Sequence, residues 1–177
     1  TRYRSSAASD VYKRQDPQRE IYQIVLDAQL AAIDACQVGN LYTDPHDAAR
    51  TVLAEGLIRL GVISQSLDEA LDPETGDLRK WYMHNTSHWI GLDVHDAGVY
   101  KPGGTPRVLE PGMCLTIEPG LYFGAWRPDV DCPERYANIG IRIEDDVLIT
   151  TDGPVVLTAD CPKSIDDIEN IVGQDLA

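Results

Sequence analysis

Basic residues are scarce in this sequence. Its 177 residues carry 15 Lys and Arg against 29 Asp and Glu, a net charge of −14. Nucleic-acid and anionic-membrane surfaces are built from Lys and Arg, so neither is expected as a partner. A solvated acidic surface accounts for most of the carboxylates, although the surplus is compatible with a metal-binding cluster. Paired cysteines are also missing: Cys36, Cys114, Cys132 and Cys161 form no CxxC and no zinc-ribbon spacing. With no signal peptide, they read as reduced thiols of a cytoplasmic protein. No apolar run approaches the roughly 18–20 residues of a transmembrane helix, which excludes a membrane function. Internal repeats, low-complexity stretches and the HExxH pattern are absent as well. What is left is a globular composition, 43% hydrophobic and 25% charged, with length for one domain.

Residues 1–15 differ from the rest. They hold Arg2, Arg4, Lys13 and Arg14 against Asp10 alone, so residues 16–177 carry 28 acids and 11 bases. This segment has neither the apolar core of a secretory signal nor an amphipathic period, and it is expected to be a flexible or non-native leader. A domain at 16–177 follows. Asp16-Pro17 suits a helix start, and Ile21, Ile24, Val25, Ala28, Ala31, Ala32 and Ala35 recur at helical spacing up to Gly39. Asp44-Pro45 repeats the signal for a second helix, with Ala49, Val52, Leu53, Leu57 and Leu60 on one face and Gly61 as its stop. A short third helix is expected after Ser66, and Asp72–Asp77 reads as a loop.

The later sequence changes to period two. Met113–Glu118 and Ile139–Glu144 alternate as strands, and Val147–Thr150 and Val155–Thr158 flank Asp152-Gly153-Pro154 as a hairpin. Ser164 and Asp167 mark the start of a last helix, Ile165 to about Ile171. Helices followed by antiparallel strands make an α+β domain.

Three of the four histidines fall within twelve residues, His84, His88 and His95, in a stretch that is not helical in pattern. Alternation puts Glu118 on the strand face of Cys114 and Thr116, opposite Leu115 and Ile117. It likewise sets Arg142 and Glu144 opposite Ile139, Ile141 and Ile143. Each glutamate either faces water on a half-exposed sheet or points inward. Inward glutamates with histidines would suit a hard or borderline divalent ion, but spacing alone does not make them converge.

HNTSHWIGLDVHD at 84–96, LEPGMCLTIEPGLY at 109–122 and NIGIRIEDD at 138–146 together resemble the C-terminal half of the catalytic domain of bacterial aminopeptidase P, the Xaa-Pro aminopeptidase. The resemblance runs from about Gln18 to residue 171. It implies half of a pita-bread fold, a curved antiparallel sheet with helices packed on one face. It implies a peptide substrate with proline in second position, and two divalent ions, most often Mn²⁺, that activate a shared hydroxide. Motif by motif, His88, Glu118 and Glu144 match metal ligands, Glu144 being the one that bridges both ions. His84 and His95 match histidines that contact substrate, and Arg142 an arginine that orients the site. Trp89 reads either as a substrate wall or as core. Family members often form homo-oligomers.

The family's two aspartate ligands have no counterpart here: Asp10 and Asp16 are the only acids upstream of the first helix, and neither sits in the family's surroundings. The chain is therefore expected to be a catalytic fragment with three of five ligands. Prolidase, which cleaves dipeptides, is the nearest enzyme alternative. A non-catalytic pita-bread binding module is the alternative of another class, disfavoured because all three ligands in this half stand. Two-metal catalysis needs both ions, so this 177-residue chain supplied with Mn²⁺ is expected to show no measurable Xaa-Pro cleavage. Robust turnover in a peptide-hydrolysis assay would overturn that expectation.

Overall fold

A computed structural model describes residues 16–124, 127 and 130–172; the leader expected at 1–15 lies outside them. The element order is α1 (Asp16–Asp34), α2 (Asp44–Arg59), α3 (Leu67–Ala70), β1 (Cys114–Ile117), β2 (Gly120–Tyr122), β3 (Gly140–Arg142), β4 (Asp145–Thr150), β5 (Gly153–Val156) and α4 (Ile165–Ile171). On α1 the spaced apolar positions Ile21, Ile24, Val25, Ala28 and Ala32 are all buried. They pack against α2 on one side and against β1, β2 and β3 on the other. The helix stops at Asp34, short of Gly39.

Asp44 does not cap α2. The N-cap is Thr43, and the Asp44 carboxylate accepts the Leu41 N–H at 2.8 Å instead. Ser66 opens α3 with a full capping box to Glu69, and Ser164 opens α4 by accepting the Asp167 N–H at 3.1 Å.

The strands form two antiparallel sheets, β1-β4-β5 and β2-β3. In the first, Ile117 pairs with Asp145; in the second, Gly120 pairs with Arg142. These pairings share one register, which also sets Glu118 opposite Glu144 and Pro119 opposite Ile143. The sheets are thus two ends of one bent ribbon. Pro119 has no N–H to give to a ladder, but its carbonyl accepts the Ile143 N–H at 3.3 Å across the bend.

Three sequence expectations need correction. The strand read as Ile139–Glu144 is paired only over Gly140–Arg142, because the chain turns from one sheet to the other at Ile143–Glu144. β2 was not anticipated, three residues being too few to display a period. The hairpin strand runs over Gly153–Val156 rather than Val155–Thr158, with the turn at Thr151-Asp152. Gly153 starts that strand at φ +113°, a region open to glycine but not to side-chain-bearing residues.

A further strand-like edge lies outside the named strands. Glu118 N–H donates to Thr86 O at 2.8 Å, Thr116 N–H to His88 O at 3.0 Å, and Ile90 N–H to Cys114 O at 3.1 Å. Residues 86–90 therefore run antiparallel along the free edge of β1. No helix among the described residues is long and apolar enough to cross a membrane. All four cysteines are free, and burial pushes the Cys36 thiol up to about 12.

Leu57 lies fully buried on α2 within the helix–sheet core. Leu57→Ala is expected to lower unfolding free energy by about 2–5 kcal/mol in a urea titration. A loss under about 1 kcal/mol would show that this helix face is not core.

Candidate metal centre

The bend gathers the charged side chains. Along β1 and β4 one face is apolar and closed: Leu115, Ile117, Val147 and Ile149 are each at most 1% exposed. The other face carries Thr116 and, one residue past the paired segment, Glu118. Glu118 is only 13% exposed and Glu144, opposite it, 42%. The water-facing alternative does not describe Glu118.

His88 reaches the same point from the edge segment. Its N–H donates to Thr116 Oγ1 at 3.0 Å, and its ring Nδ1 lies 3.0 Å from the carbonyl of Trp89. A carbonyl only accepts, so Nδ1 carries a proton, and in the neutral ring Nε2 presents its lone pair. That Nε2 sits 3.3 Å from Glu118 Oε1. Thr116 Oγ1 in turn donates to the same Glu118 oxygen at 3.0 Å, so one hydroxyl fixes both residues.

Ligand atoms of His88, Glu118 and Glu144 lie within 4.8 Å of one another. Donors around a tetrahedral ion at roughly 2.0–2.2 Å each are about 3.4 Å apart, so side-chain rotations of an ångström or so would close the difference. One imidazole and two carboxylates are a donor set for a borderline or hard divalent ion. The residues fit such a group.

The other site residues ring this cluster. Arg142 Nε lies 3.8 Å from Glu118 and 3.9 Å from Glu144. His95 is exposed and meets the His88 ring edge-on at 4.3 Å between centroids. His84 is further out, its Nε2 2.8 Å from the Tyr122 hydroxyl and its Nδ1 2.8 Å from Asn85 O. Nδ1–H therefore donates to that carbonyl, and Nε2 accepts from Tyr122. Trp89 belongs to the core, 9% exposed and stacked on Tyr100. That disposes of a substrate-wall role, because its ring is walled in by Tyr42 and Tyr100.

Residues 3–151 match the model of metallopeptidase family M24. The chain belongs to that family. It is 43% identical over 160 residues to a Xaa-Pro aminopeptidase of Haemophilus influenzae, which covers 90% of this chain and 36% of that protein. Among solved structures it is similar to Pseudomonas aeruginosa aminopeptidase PepP, with a TM-score of 0.82 and 42% identity over 88% of this chain and 34% of that one. A zinc-substituted Escherichia coli aminopeptidase P in complex with product gives a TM-score of 0.80 and 42% identity, over 89% of this chain and 34% of the other. The α+β architecture is the pita-bread fold of these proteins, and the chain spans about a third of the length of the relatives it matches.

In this M24 chain the Glu144 carboxyl titrates above the usual carboxylate range. Burial is the main cause and the nearby Glu118 charge the second, with Arg142 and His88 opposing.

Sequence reading missed Thr116, Tyr122 and His46. Thr116 is signalled only by sharing a strand face with Glu118. Tyr122 reaches His84 because Gly120 lies beneath its ring: a Cβ there would stand 2.7 Å from the Tyr122 oxygen and 2.9 Å from Ile141 O. Burial raises the Tyr122 phenol, and the Arg142 charge lies near enough to lower it. His46, near the start of α2, accepts the Thr86 N–H at 3.3 Å through Nδ1, which also lies 2.8 Å from Thr86 Oγ1. No local pattern marks it.

Burial, and next the Arg50 charge, hold His46 down to about 4. An unfolded histidine protonates near 6.5, so between those values the unfolded chain binds more protons than the folded one. Stability from this group is complete above pH 6.5 and is lost as pH falls toward 4, by up to roughly 3 kcal/mol. Denaturant titrations from pH 7 to 4 are expected to show that decline, and His46→Gln to flatten its histidine part. An unchanged slope in the variant would overturn this assignment.

Proposed function

We propose that this chain forms part of a cytoplasmic metallo-aminopeptidase that releases the N-terminal residue from peptides with proline in second position. The observation that carries the reading is the meeting of His88 Nε2 with the Glu118 and Glu144 carboxylates at the ribbon bend. Xaa-Pro aminopeptidase relatives support the substrate class. His88, Glu118 and Glu144 would hold divalent ions, Mn²⁺ on the family resemblance. Bound ions of this class supply Lewis acidity and make water nucleophilic near neutral pH.

The remaining chemistry belongs to the chain. Arg142 spans both carboxylates, offsetting their mutual repulsion and aiming their oxygens. In the neutral ring, the Nδ1–H to carbonyl bond of His88 leaves the Nε2 lone pair for coordination. His84 donates from Nδ1 to Asn85 O and accepts the Tyr122 O–H at Nε2, so its ring is held in a fixed orientation next to the cluster. His95 lies exposed beside His88, where an imidazole can donate to a developing oxyanion or pass a proton to the leaving proline nitrogen. Thr116 keeps Glu118 from swinging away.

Mn²⁺ binding followed by loss of the free-ion EPR signal tests the ligand set. His88→Ala and Glu144→Gln are each expected to weaken binding at least tenfold, and unchanged binding in both would refute it. Hydrolysis of a tripeptide with proline second by the intact gene product tests the substrate class. Cleavage of Xaa-Pro dipeptides alone would instead make it a prolidase.

A further inference from the structure

Asp145 is a charged residue on an apolar face. It is 2% exposed and aligned with Val147 and Ile149, where a carboxylate is costly unless paired. Its partners come from far away in the chain. Lys163 Nζ lies 2.9 Å from Oδ1, Gln29 Nε2 donates to Oδ2 at 2.8 Å, and the Thr158 hydroxyl donates to Oδ1. Lys163 spends its other donors on Cys161 O at 2.8 Å and Thr158 O at 3.1 Å, and its own carbonyl accepts from Tyr22 at 2.7 Å. One carboxylate thus ties β4, α1 and the segment between β5 and α4 together.

The position of this cluster matters. Asp145 pairs with Ile117, and the next rung toward the bend sets Glu144 opposite Glu118. Val147 and Ile149 follow on the same face, both apolar and buried. A slip of β4 by two residues would keep apolar side chains inward and would lose little by hydrophobicity alone. It would, however, carry Glu144 about 6.6 Å along the ribbon, out of reach of any ion held by His88 and Glu118. Val147 and Ile149 have no use for the Lys163, Gln29 and Thr158 donors, so only Asp145 satisfies them. We propose that the buried Asp145–Lys163 pair is a positioning device that locks the β1–β4 register and so the spacing of the two site carboxylates. This rests on the reading of His88, Glu118 and Glu144 as metal ligands.

The test measures Mn²⁺ affinity by EPR and thermal stability by circular dichroism on the 177-residue chain, at a temperature where each variant is folded. Lys163→Met is expected to weaken Mn²⁺ binding tenfold or more, and Lys163→Arg to recover most of it. The double variant Asp145→Leu with Lys163→Met removes the buried charge altogether and is expected to regain stability without regaining affinity. Leu57→Ala, destabilising but remote in role, is expected to leave affinity unchanged. Wild-type affinity in the folded double variant would overturn the positioning role, even if Lys163→Met alone does not fold. If the unaltered chain binds no Mn²⁺, the ligand reading falls and this inference with it; if the chain binds and the variants bind equally well, only the inference falls.

Discussion

The register shared by β1–β4 and β2–β3 is the constraint on which the site depends. Two strands pair from Cys114 with Leu148 down to Tyr122 with Gly140, and the pairing turns a corner without gaining or losing a residue. At the corner stand Glu118 and Glu144. Side chains on opposed residues of an antiparallel pair are neighbours, so the two carboxylates meet because the backbone makes them meet. Pro119 helps to make the corner, since it can donate nothing to a ladder there.

Bringing two carboxylates together costs electrostatic energy, and the fold offsets it in stages. Arg142 Nε lies 3.8 Å from Glu118 and 3.9 Å from Glu144, and the Thr116 hydroxyl donates to Glu118. Glu144 still titrates above the usual carboxylate range, chiefly through burial and next through the Glu118 charge. A cation is the group that such an arrangement lacks, and the donor types match a hard or borderline one. Polar groups behind the site follow a different rule. Asp145 and His46 are both withdrawn from water, but Asp145 is paired with the Lys163 ammonium, whereas burial, and next the Arg50 charge, holds His46 down.

Much of this was legible beforehand in particular residues. Helical spacing from Ile21 to Ala32 and from Ala49 to Leu57 marked α1 and α2, because an amphipathic helix must repeat its apolar face. Alternation around Leu115 and Ile117 assigned Glu118 its face, and Thr116 bonds it there. The three motifs named the family. Illegible were β2, the sheet change at Ile143–Glu144, and the true limits of the β4–β5 hairpin. Each is a matter of a few residues, whose conformation is set by what they pack on rather than by a period. Trp89 was ambiguous for a related reason: an aromatic side chain has the same composition in a core and in a pocket wall, and only Tyr42 and Tyr100 around it decide.

The sequence by itself determined the class of the domain, its net acidic charge, the face of each candidate glutamate and the family to which the motifs belong. Those are properties of neighbouring residues, carried by spacing and side-chain type. The tertiary structure alone decided that His88, Glu118 and Glu144 meet, that Tyr122 reaches His84, and that Gln29, Thr158 and Lys163 converge on Asp145. These contacts join residues as far as 116 positions apart. No local pattern encodes them, because they arise only when α1, the edge segment and the bent ribbon pack around one core.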